Sequence, residues 1–470
     1  MFYCICMQNK QEYLWAMIGR FAPQIIYLLT TIILARFLTP NDFGIIGVLS
    51  VFFMVANVLM DAGLGGSLIK ERSISDVDCS TIFVFNILIS HLLYVVIFFC
   101  SDLLEQYFKI EGLSSVVKIL CLVFVINSWG LVPLAILTRK LQFKSISVCV
   151  IISVLLASFG AIILAIYNCG VYALVVYQII QAFVSVVLYY IYSKYCISFK
   201  FSFKSFKRLI PFGFFTTCSV VIDTVYENIM TFLFGRFLDI KQAGFLYQAK
   251  RIEEVPSKTL ITTINNVAFP VLTKIANDTI RFKNEANTIF KTIILLLAPL
   301  LATIAIFSKL IIKLILGAQW GDAAPYLSLL MFASIFLIME TLNRNFIKSL
   351  GAVELLFKIT LIKRCIGLLI IFLCLIKSIE WVLYGYIISS AIGYIVNLFA
   401  YSSLVNEKTF IQVRLTVLLL LPALIYYCIM KYSCCLTNIL LFQIFCSLIL
   451  LLVYYLFIMP LYGLKVKLKF

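Results

Sequence analysis

The sequence predicts an all-α integral membrane protein with about fourteen transmembrane helices: two six-helix bundles related as a parallel pseudo-repeat, plus a C-terminal helix pair. Three observations predict this fold: the composition, a series of long apolar segments, and a motif that recurs at an offset of 200 residues. Of the 470 residues, 63% are hydrophobic, and the mean hydropathy is +1.09. A soluble domain is typically about half apolar, so this chain is expected to be embedded in a bilayer.

Fourteen apolar segments are long enough to span a bilayer, which takes about 20 apolar residues. In chain order they cover residues 14–37, 43–69, 82–100, 117–137, 147–167, 171–193, 211–235, 243–272, 289–316, 326–350, 355–377, 380–404, 412–431 and 435–460. The eighth segment is the most polar of the series.

Basic residues alternate between the loops of the two membrane faces. One set of loops and tails carries Lys10, Lys70, Arg72, Arg139, Lys140, Lys144, Lys194, Lys200, Lys204, Lys207, Arg208, Lys274, Arg281, Lys283, Lys408, Lys465, Lys467 and Lys469. The other set carries only Lys109, Arg236 and Lys241. Because cytoplasmic loops are enriched in Lys and Arg, both termini are predicted to be cytoplasmic, in agreement with an even helix count. The net charge of +17 therefore lies at the membrane rather than on a soluble nucleic-acid-binding face.

Two connections between the predicted helices stand out. The longest outer loop, about 101–116, is too short to form a domain. The longest cytoplasmic connection, 194–210, alternates Lys with Phe. It is predicted to be an amphipathic segment that lies on anionic lipid. The alternative is an ordinary positive-inside anchor without any specific lipid contact.

The recurring motif lies at two outer helix junctions. Residues 36–44 read RFLTPNDFG and residues 236–244 read RFLDIKQAG, so Arg-Phe-Leu and the glycine eight residues after the arginine recur. A six-helix period predicts an N-terminal lobe, 1–193, and a C-terminal lobe, 211–404, joined by the basic linker 194–210. Six is even, so the lobes have parallel topology, a known form of transporter repeat. Residues 405–470 then form two extra helices and a basic cytoplasmic tail.

Ionisable residues recur inside the apolar segments, where each costs roughly 3 kcal/mol at the bilayer centre. Arg20 in helix 1 and Asp61 in helix 2 lie at similar predicted depth and are expected to pair. The seventh and eighth predicted segments, 211–235 and 243–272, carry Asp223, Glu227, Lys250, Arg251, Glu254 and Lys258. A helix as polar as the eighth is expected to avoid lipid. It must line a cavity or pack between other helices, which indicates a polar path typical of a transporter.

The tenth and eleventh predicted segments, 326–350 and 355–377, carry a second group of charges. Glu340, Arg344 and Lys348 follow at i, i+4 and i+8, and Lys363 and Arg364 lie at comparable depth. Ion pairing within the helix accounts for part of this pattern. The remaining cationic excess suits an anionic ligand such as a diphosphate, because Arg offers a planar fork and Lys a mobile point charge.

Known enzyme and metal motifs are absent from the sequence. It contains no GxxxxGK[ST], GxSxG or HExxH motif, no CxxC pair, and one histidine, His91. The 15 cysteines are scattered through apolar runs, as small buried hydrophobes are. No enzyme activity, metal or cofactor is therefore expected.

The run Ala35–Gly44, followed by Asp61-Ala62-Gly63-Leu64, resembles the bacterial polysaccharide and O-antigen flippases (Wzx-type). The run Tyr247–Arg251, continued through Pro256 to Asn266–Pro270, resembles them too. These flippases belong to the multidrug/oligosaccharidyl-lipid/polysaccharide exporter superfamily. The resemblance implies two bundles around a central cavity, in a monomer of the inner membrane that alternates between inward-open and outward-open states. It implies translocation of undecaprenyl-diphosphate-linked sugar units for O-antigen, capsule or exopolysaccharide, with a polymerase and a chain-length regulator as further partners.

Two sets of residues are the hypotheses for this transport. The diphosphate contacts would be Arg20, Lys250, Arg251, Lys258, Arg344, Lys363 and Arg364. The coupling or gating carboxylates would be Asp61, Asp223, Glu227, Glu254 and Glu340. Alternative readings are a lipid II flippase or a cation-coupled exporter of drugs or metabolites with the same fold. Less favoured are a repeat-unit polymerase, which usually has a larger outer loop, and a scaffold, which would not explain the buried charges.

Overall fold

The computed structural model describes residues 2–61, 64–71, 74–377, 379–406 and 409–436, with the isolated positions 447, 449, 451, 452 and 454. Every long element in these ranges is a helix. Within the described ranges, nine spans are long and apolar enough to cross a membrane. Two further helices of similar length, at residues 240–274 and 353–375, contain more charged residues than these nine spans. The predicted all-α multi-pass membrane fold is therefore confirmed, while most of the predicted fourteenth segment, 435–460, lies outside the described residues.

The helices fall into two compact units, Met1–Gly244 and Phe245–Phe470. The first nine helices are α1 Phe2–Phe37, α2 Pro40–Asp61, α3 Leu64–Lys70, α4 Asp76–Phe108, α5 Leu113–Leu120, α6 Leu122–Arg139, α7 Phe143–Ile166, α8 Tyr172–Ser193 and α9 Phe203–Phe237. The first unit packs α7 against α1 and α8, α6 against α4 and α8, and α2 against α9. Aromatic side chains fill this interior, for example Phe53 against Phe124 and Phe83 against Trp129. The predicted division into lobes at 194–210 stays a prediction.

The second unit contains most of α10 and all the helices after it. These are α10 Ile240–Lys274, α11 Thr279–Ile306, α12 Ser308–Ile315, a 3₁₀ helix Ala318–Ala323, α13 Ala324–Ser349, α14 Val353–Leu375, α15 Ile379–Leu404 and α16 Thr409–Leu436. Helix α13 packs against α11 and α15, and α15 also packs against α14. Helix α16 packs on α11, where the Tyr426 hydroxyl is hydrogen-bonded to Thr303 and Ser447.

The predicted outer loop 101–116 is mostly helical, which corrects the sequence-based boundaries. Helix α4 continues to Phe108 and α5 begins at Leu113. The turn between them places Lys109, the C-cap residue of α4, at φ 57°, and Gly112, the N-cap residue of α5, at φ 78°. A left-handed residue commonly ends a helix, as Lys109 does here. The Glu105 carboxylate accepts hydrogen bonds from the backbone N–H groups of Gly112 and Ser114, which satisfies the first turn of α5. The polar residues of this loop thus cap helices.

The non-helical part of the basic connection 194–210 is also shorter than predicted, because α9 already begins at Phe203. Ser202 caps this helix by accepting the backbone N–H of Ser205. The extended part is held on α4, since the Ser80 hydroxyl donates to the Ser198 carbonyl and the Ser202 N–H donates to the Thr81 hydroxyl. Its phenylalanines at 199, 201 and 203 remain exposed, as the predicted membrane-surface segment requires.

A charged clasp joins the start of α9 to the start of α4. The Arg208 guanidinium lies 2.7 Å from the Asp78 carboxylate and 3.9 Å from that of Glu71. Asp78 is buried, and it completes a capping box with Ser75 at the first turn of α4. Arg139 adds hydrogen bonds to the carbonyl groups of Leu68 and Glu71. These contacts fix α3 against α6 and α9.

Replacing Arg208 by Gln is expected to destabilise this corner by about 1–3 kcal/mol, because the buried Asp78 carboxylate loses a charged partner. The measurement is the thermal unfolding midpoint of the purified full chain in detergent. Lys207→Gln is the matched control, since the Lys207 side chain is exposed and has no ion pair within the described residues. Equal midpoints for the two variants would show that the clasp contributes nothing.

The two copies of the recurring motif have the same helix boundaries and contact each other. Helix α1 ends at Phe37 and α2 begins at Pro40, while α9 ends at Phe237 and α10 begins at Ile240. A Cβ atom built on Gly44 would overlap the carbonyl oxygen of Ile240, and one built on Gly244 would overlap that of Pro40. We call this reciprocal contact the glycine seam. It lies wholly within the first unit, and both glycines are required by close backbone approach.

Candidate functional site

The predicted site residues lie on six helices, and the structure describes the side chains of eight of them. These are Arg20, Lys250, Arg251, Glu254, Glu340, Arg344, Lys363 and Arg364. The side chains of Asp61, Asp223, Glu227 and Lys258 lie outside the described residues. The expected pairing of Arg20 with Asp61 therefore stays a prediction. Arg20 is exposed on α1 and makes no ion pair with a described residue.

A buried ion pair joins α13 to α14 in the second unit. The Lys363 ammonium donates to a carboxylate oxygen of Glu340, and both side chains are at least nine-tenths buried. The sequence placed these residues at comparable depth on neighbouring helices but assigned them separate roles. A buried ion pair is stabilising only when its geometry and hydrogen bonds compensate for the lost hydration.

Helix α15 completes the surroundings of this pair. The Asn397 amide donates to the Glu340 carbonyl over 3.2 Å. A Cβ atom at Gly393 would come within 2.9 Å of Glu340 Oε2, so the glycine gives the carboxylate its space. Sequence reasoning missed Asn397, although a single amide within the apolar segment 380–404 was a signal. Lys363 of α14 thus binds the carboxylate, while α15 bonds the backbone of Glu340 and leaves space for its side chain.

Among the described residues, the charged groups that act on the Glu340 carboxylate are cationic. Arg344, one turn along α13, and Arg364, next to Lys363, both act electrostatically on the Glu340 carboxylate. Arg364 is buried, whereas Arg344 is half-buried and makes no ion pair within the described part of the chain. Three cations therefore surround one carboxylate. Such an arrangement favours an additional anion, because unbalanced charge in a low-dielectric interior is costly.

A second group of polar residues lies on α10. The Arg251 guanidinium donates to the Tyr247 hydroxyl over 2.8 Å, stacks 4.9 Å from its ring centroid and lies 3.6 Å from the Glu254 carboxylate. Arg251 and Glu254, which are i, i+3 neighbours on this helix, are therefore in contact. Lys250 is half-buried beside them. Arg251 contacts Tyr247 and Glu254 of its own helix, and its side chain remains about one-quarter exposed.

One hydrogen bond joins α10 to α13, and neither of its two residues was among the predicted site residues. The Ser334 hydroxyl donates to Glu253, whose side chain is buried. Ser334 and Glu340 are six residues apart on α13, which is about 9 Å along a helix. The polar contacts of α10 and the ion pair of α14 are therefore attached to the same helix, within a few turns of each other.

Sequence comparison finds similarity to proteins of polysaccharide biosynthesis. Residues 33–325 match the model of a family described as "Polysaccharide biosynthesis protein". The teichuronic acid biosynthesis protein TuaB of Bacillus subtilis is 25% identical over 346 residues, 73% of this chain and 71% of TuaB. The lipopolysaccharide biosynthesis protein WzxC of Escherichia coli is 25% identical over 334 residues, 70% of this chain and 68% of WzxC.

Solved structures with the same fold cover nearly the whole chain. The lipid II flippase MurJ in an inward closed conformation superimposes with a TM-score of 0.74, covering 95% of this chain and 99% of MurJ at 17% identity. An inward-facing multidrug resistance MATE family transporter superimposes with a TM-score of 0.63, covering 83% of this chain and 98% of that transporter at 15% identity. At such identities the likeness shows the fold alone.

Proposed function

The chain belongs to the polysaccharide biosynthesis protein family, and from this premise we propose that it is a flippase for undecaprenyl-diphosphate-linked oligosaccharide units. It carries them from the cytoplasmic to the outer leaflet of the bacterial plasma membrane by alternating access. Relatives named for teichuronic acid, lipopolysaccharide and succinoglycan biosynthesis support this proposal. Among them, the succinoglycan protein ExoT of Rhizobium meliloti is described as a transport protein, so the chain acts as a transporter rather than an enzyme.

The observation that carries the proposal is the cationic excess around Glu340. A diphosphate brings negative charge into a membrane protein and needs Arg or Lys partners. Arg344 and Arg364 supply charge beyond the one that Lys363 gives to Glu340. Arg251 on α10 offers a further guanidinium, while Arg20, Lys250 and Lys258 are the remaining proposed contacts. A transporter of cationic drugs would instead need carboxylates in excess, so the balance of charge favours an anionic cargo.

The carboxylates then act as coupling or gating groups. The ion pair of Glu340 with Lys363 supports this role, since the bond can exchange for a contact between Lys363 and a phosphate. Glu254 stands in the same relation to Arg251. Asp61, Asp223 and Glu227 complete the proposed set. In this scheme an arriving diphosphate competes with a resident carboxylate for the same cation, which links cargo binding to a rearrangement of helices.

The proposed placement is a multi-pass protein of the inner membrane, with both termini cytoplasmic and the chain acting as a monomer. A polymerase and a chain-length regulator would receive the units on the outer side. Membrane lipid surrounds the exposed apolar side chains, and the basic linker lies on the anionic inner leaflet.

Deletion of the gene in the source bacterium tests this function. We expect surface polymer to be lost, with complete sugar units accumulating on undecaprenyl diphosphate and reachable by added glycosidase only from the cytoplasmic face. A plasmid copy of the gene should restore both. Units that reach the outer leaflet but remain single would identify a polymerase instead. Accumulation of lipid II would identify a lipid II flippase, and unchanged glycans would overturn the proposal in favour of a small-molecule exporter.

A further inference from the structure

A cavity of about 600 Å³ opens in the second unit, away from the charges around Glu340. It lies where α11 gives way to α12, where the 3₁₀ helix meets α13, and beside α16. Its volume falls within the range of about 300–1,000 Å³ that is usual for small-molecule sites. The distribution of basic residues predicts that this end of the unit faces outwards.

Four polar side chains line this cavity and make no hydrogen bonds or ion pairs with one another. They belong to Ser308, Lys309, Asp322 and Ser328. In the described part of the chain, none of the four makes an ion pair or a side-chain hydrogen bond. Lys309 and Asp322 have opposite charges and yet do not pair. Ser308 is mostly buried, with 6% of the residue exposed, and it lies on the wall of the cavity.

The chemistry of these groups selects the kind of ligand. A simple anion would be attracted by Lys309 and repelled by Asp322, and a simple cation would meet the opposite balance. A polyhydroxyl ligand uses both, because each hydroxyl donates and accepts a hydrogen bond. Serine hydroxyls have the same dual capacity. Tyr427 also lines the cavity, and aromatic rings provide the apolar contact area that a sugar ring can cover.

We propose that this cavity is a carbohydrate-binding subsite, in which Lys309, Asp322 and the two serines hold sugar hydroxyl groups beside Tyr427. The inference rests on the proposed function, since it assigns the cavity to the glycan part of the carried lipid. The subsite lies apart from the cations proposed for the diphosphate. It holds the glycan at the predicted outer end of the unit, where sugars leave the membrane.

The test measures binding of a free glycan to the purified full chain in phosphatidylcholine nanodiscs. The probe is the repeat-unit oligosaccharide released by mild acid from the lipid-linked units of the source bacterium. We expect saturable binding to the wild type and at least about ten-fold weaker binding to the double variant Lys309→Met/Asp322→Asn, which loses two charged hydrogen-bond partners. Lys313→Met is the matched control, since Lys313 is exposed one turn further along α12 and does not line the cavity.

Several results would overturn the inference. The wild type would fail to bind the free oligosaccharide, or the double variant would bind it as tightly as the wild type. A third would be competition by phosphatidylethanolamine in the nanodisc that depends on Lys309 and Asp322, because the occupant would then be a zwitterionic lipid headgroup. Inorganic pyrophosphate should leave glycan binding unchanged, and displacement of the glycan by pyrophosphate would point to an anion site.

Failure of this inference is distinguishable from failure of the proposed function. If gene deletion abolishes translocation, but the wild type fails to bind the free glycan or the double variant binds it as tightly as the wild type, only the subsite is wrong. If gene deletion leaves surface glycan and lipid-linked units unchanged, the proposed function is wrong, whatever the binding measurement shows.

Discussion

Replacing Gly44 by Ala is expected to abolish or strongly reduce surface polysaccharide export, because the new methyl group would overlap the Ile240 carbonyl oxygen in the glycine seam. The backbone at this junction cannot yield as a side chain can. Overpacking of this kind costs about 1–3 kcal/mol, which shifts a two-state conformational equilibrium by about 5- to 150-fold. The measurement is surface polymer in the deletion strain carrying the variant, normalised to protein abundance in the membrane.

The matched control for this variant is Gly160→Ala. A Cβ atom at Gly160 would approach only the terminal Ile180 Cδ1, which can rotate away. Export by this control should match the wild type. Normal export by Gly44→Ala at normal abundance would show that the glycine seam either tolerates a methyl group or does not need to close during transport.

Replacing Lys363 by Met should lower the stability of the protein by about 3–5 kcal/mol, because the Glu340 carboxylate would stay buried without its partner. We expect a clear drop of the thermal unfolding midpoint in detergent. The double variant Glu340→Gln/Lys363→Met should recover most of the loss, since it removes both charges together. Lys358→Met on the same helix is the control, because Lys358 is exposed and has no ion pair within the described ranges.

The same variants separate a structural role from the proposed diphosphate contact. A stable double variant that exports normally would mean that the pair only holds α13 against α14. A stable double variant that fails to export would place Lys363 or Glu340 in transport. An unchanged midpoint for Lys363→Met alone would contradict the buried ion pair itself.

The sequence predicted helices well and loops poorly, for a physical reason. Apolar length marks membrane segments, and the match between 36–44 and 236–244 located two equivalent junctions that the structure confirms at the residue level. The segment 101–116 is polar but helical, because polarity excludes lipid without excluding a helix. Its ends depend on Lys109 and Gly112 in left-handed conformations and on Glu105 as a cap, which are details of three-dimensional geometry.

The sequence allowed a prediction of which charged residues lie near Glu340, but not of which one pairs with it. Depth along the membrane placed Glu340 close to Lys363, Arg364 and the helix turn of Arg344. Which cation takes the carboxylate depends on the rotation of α14 about its axis, and packing against α15 decides that rotation. The cavity beside Lys309 was not predictable, because it forms where the ends of several helices meet. Single-helix patterns contain no information about such a junction.

The glycine seam has the pattern of an isologous dimer interface within one polypeptide. In a twofold dimer, residue i of one subunit contacts residue j of its mate, and j contacts i in return. Here position 44 contacts position 240 while position 244 contacts position 40, so the two copies of the motif contact each other reciprocally. Matching defects at Gly44 and Gly244 should therefore be equally severe, whereas unequal severity would reveal how far the halves have diverged.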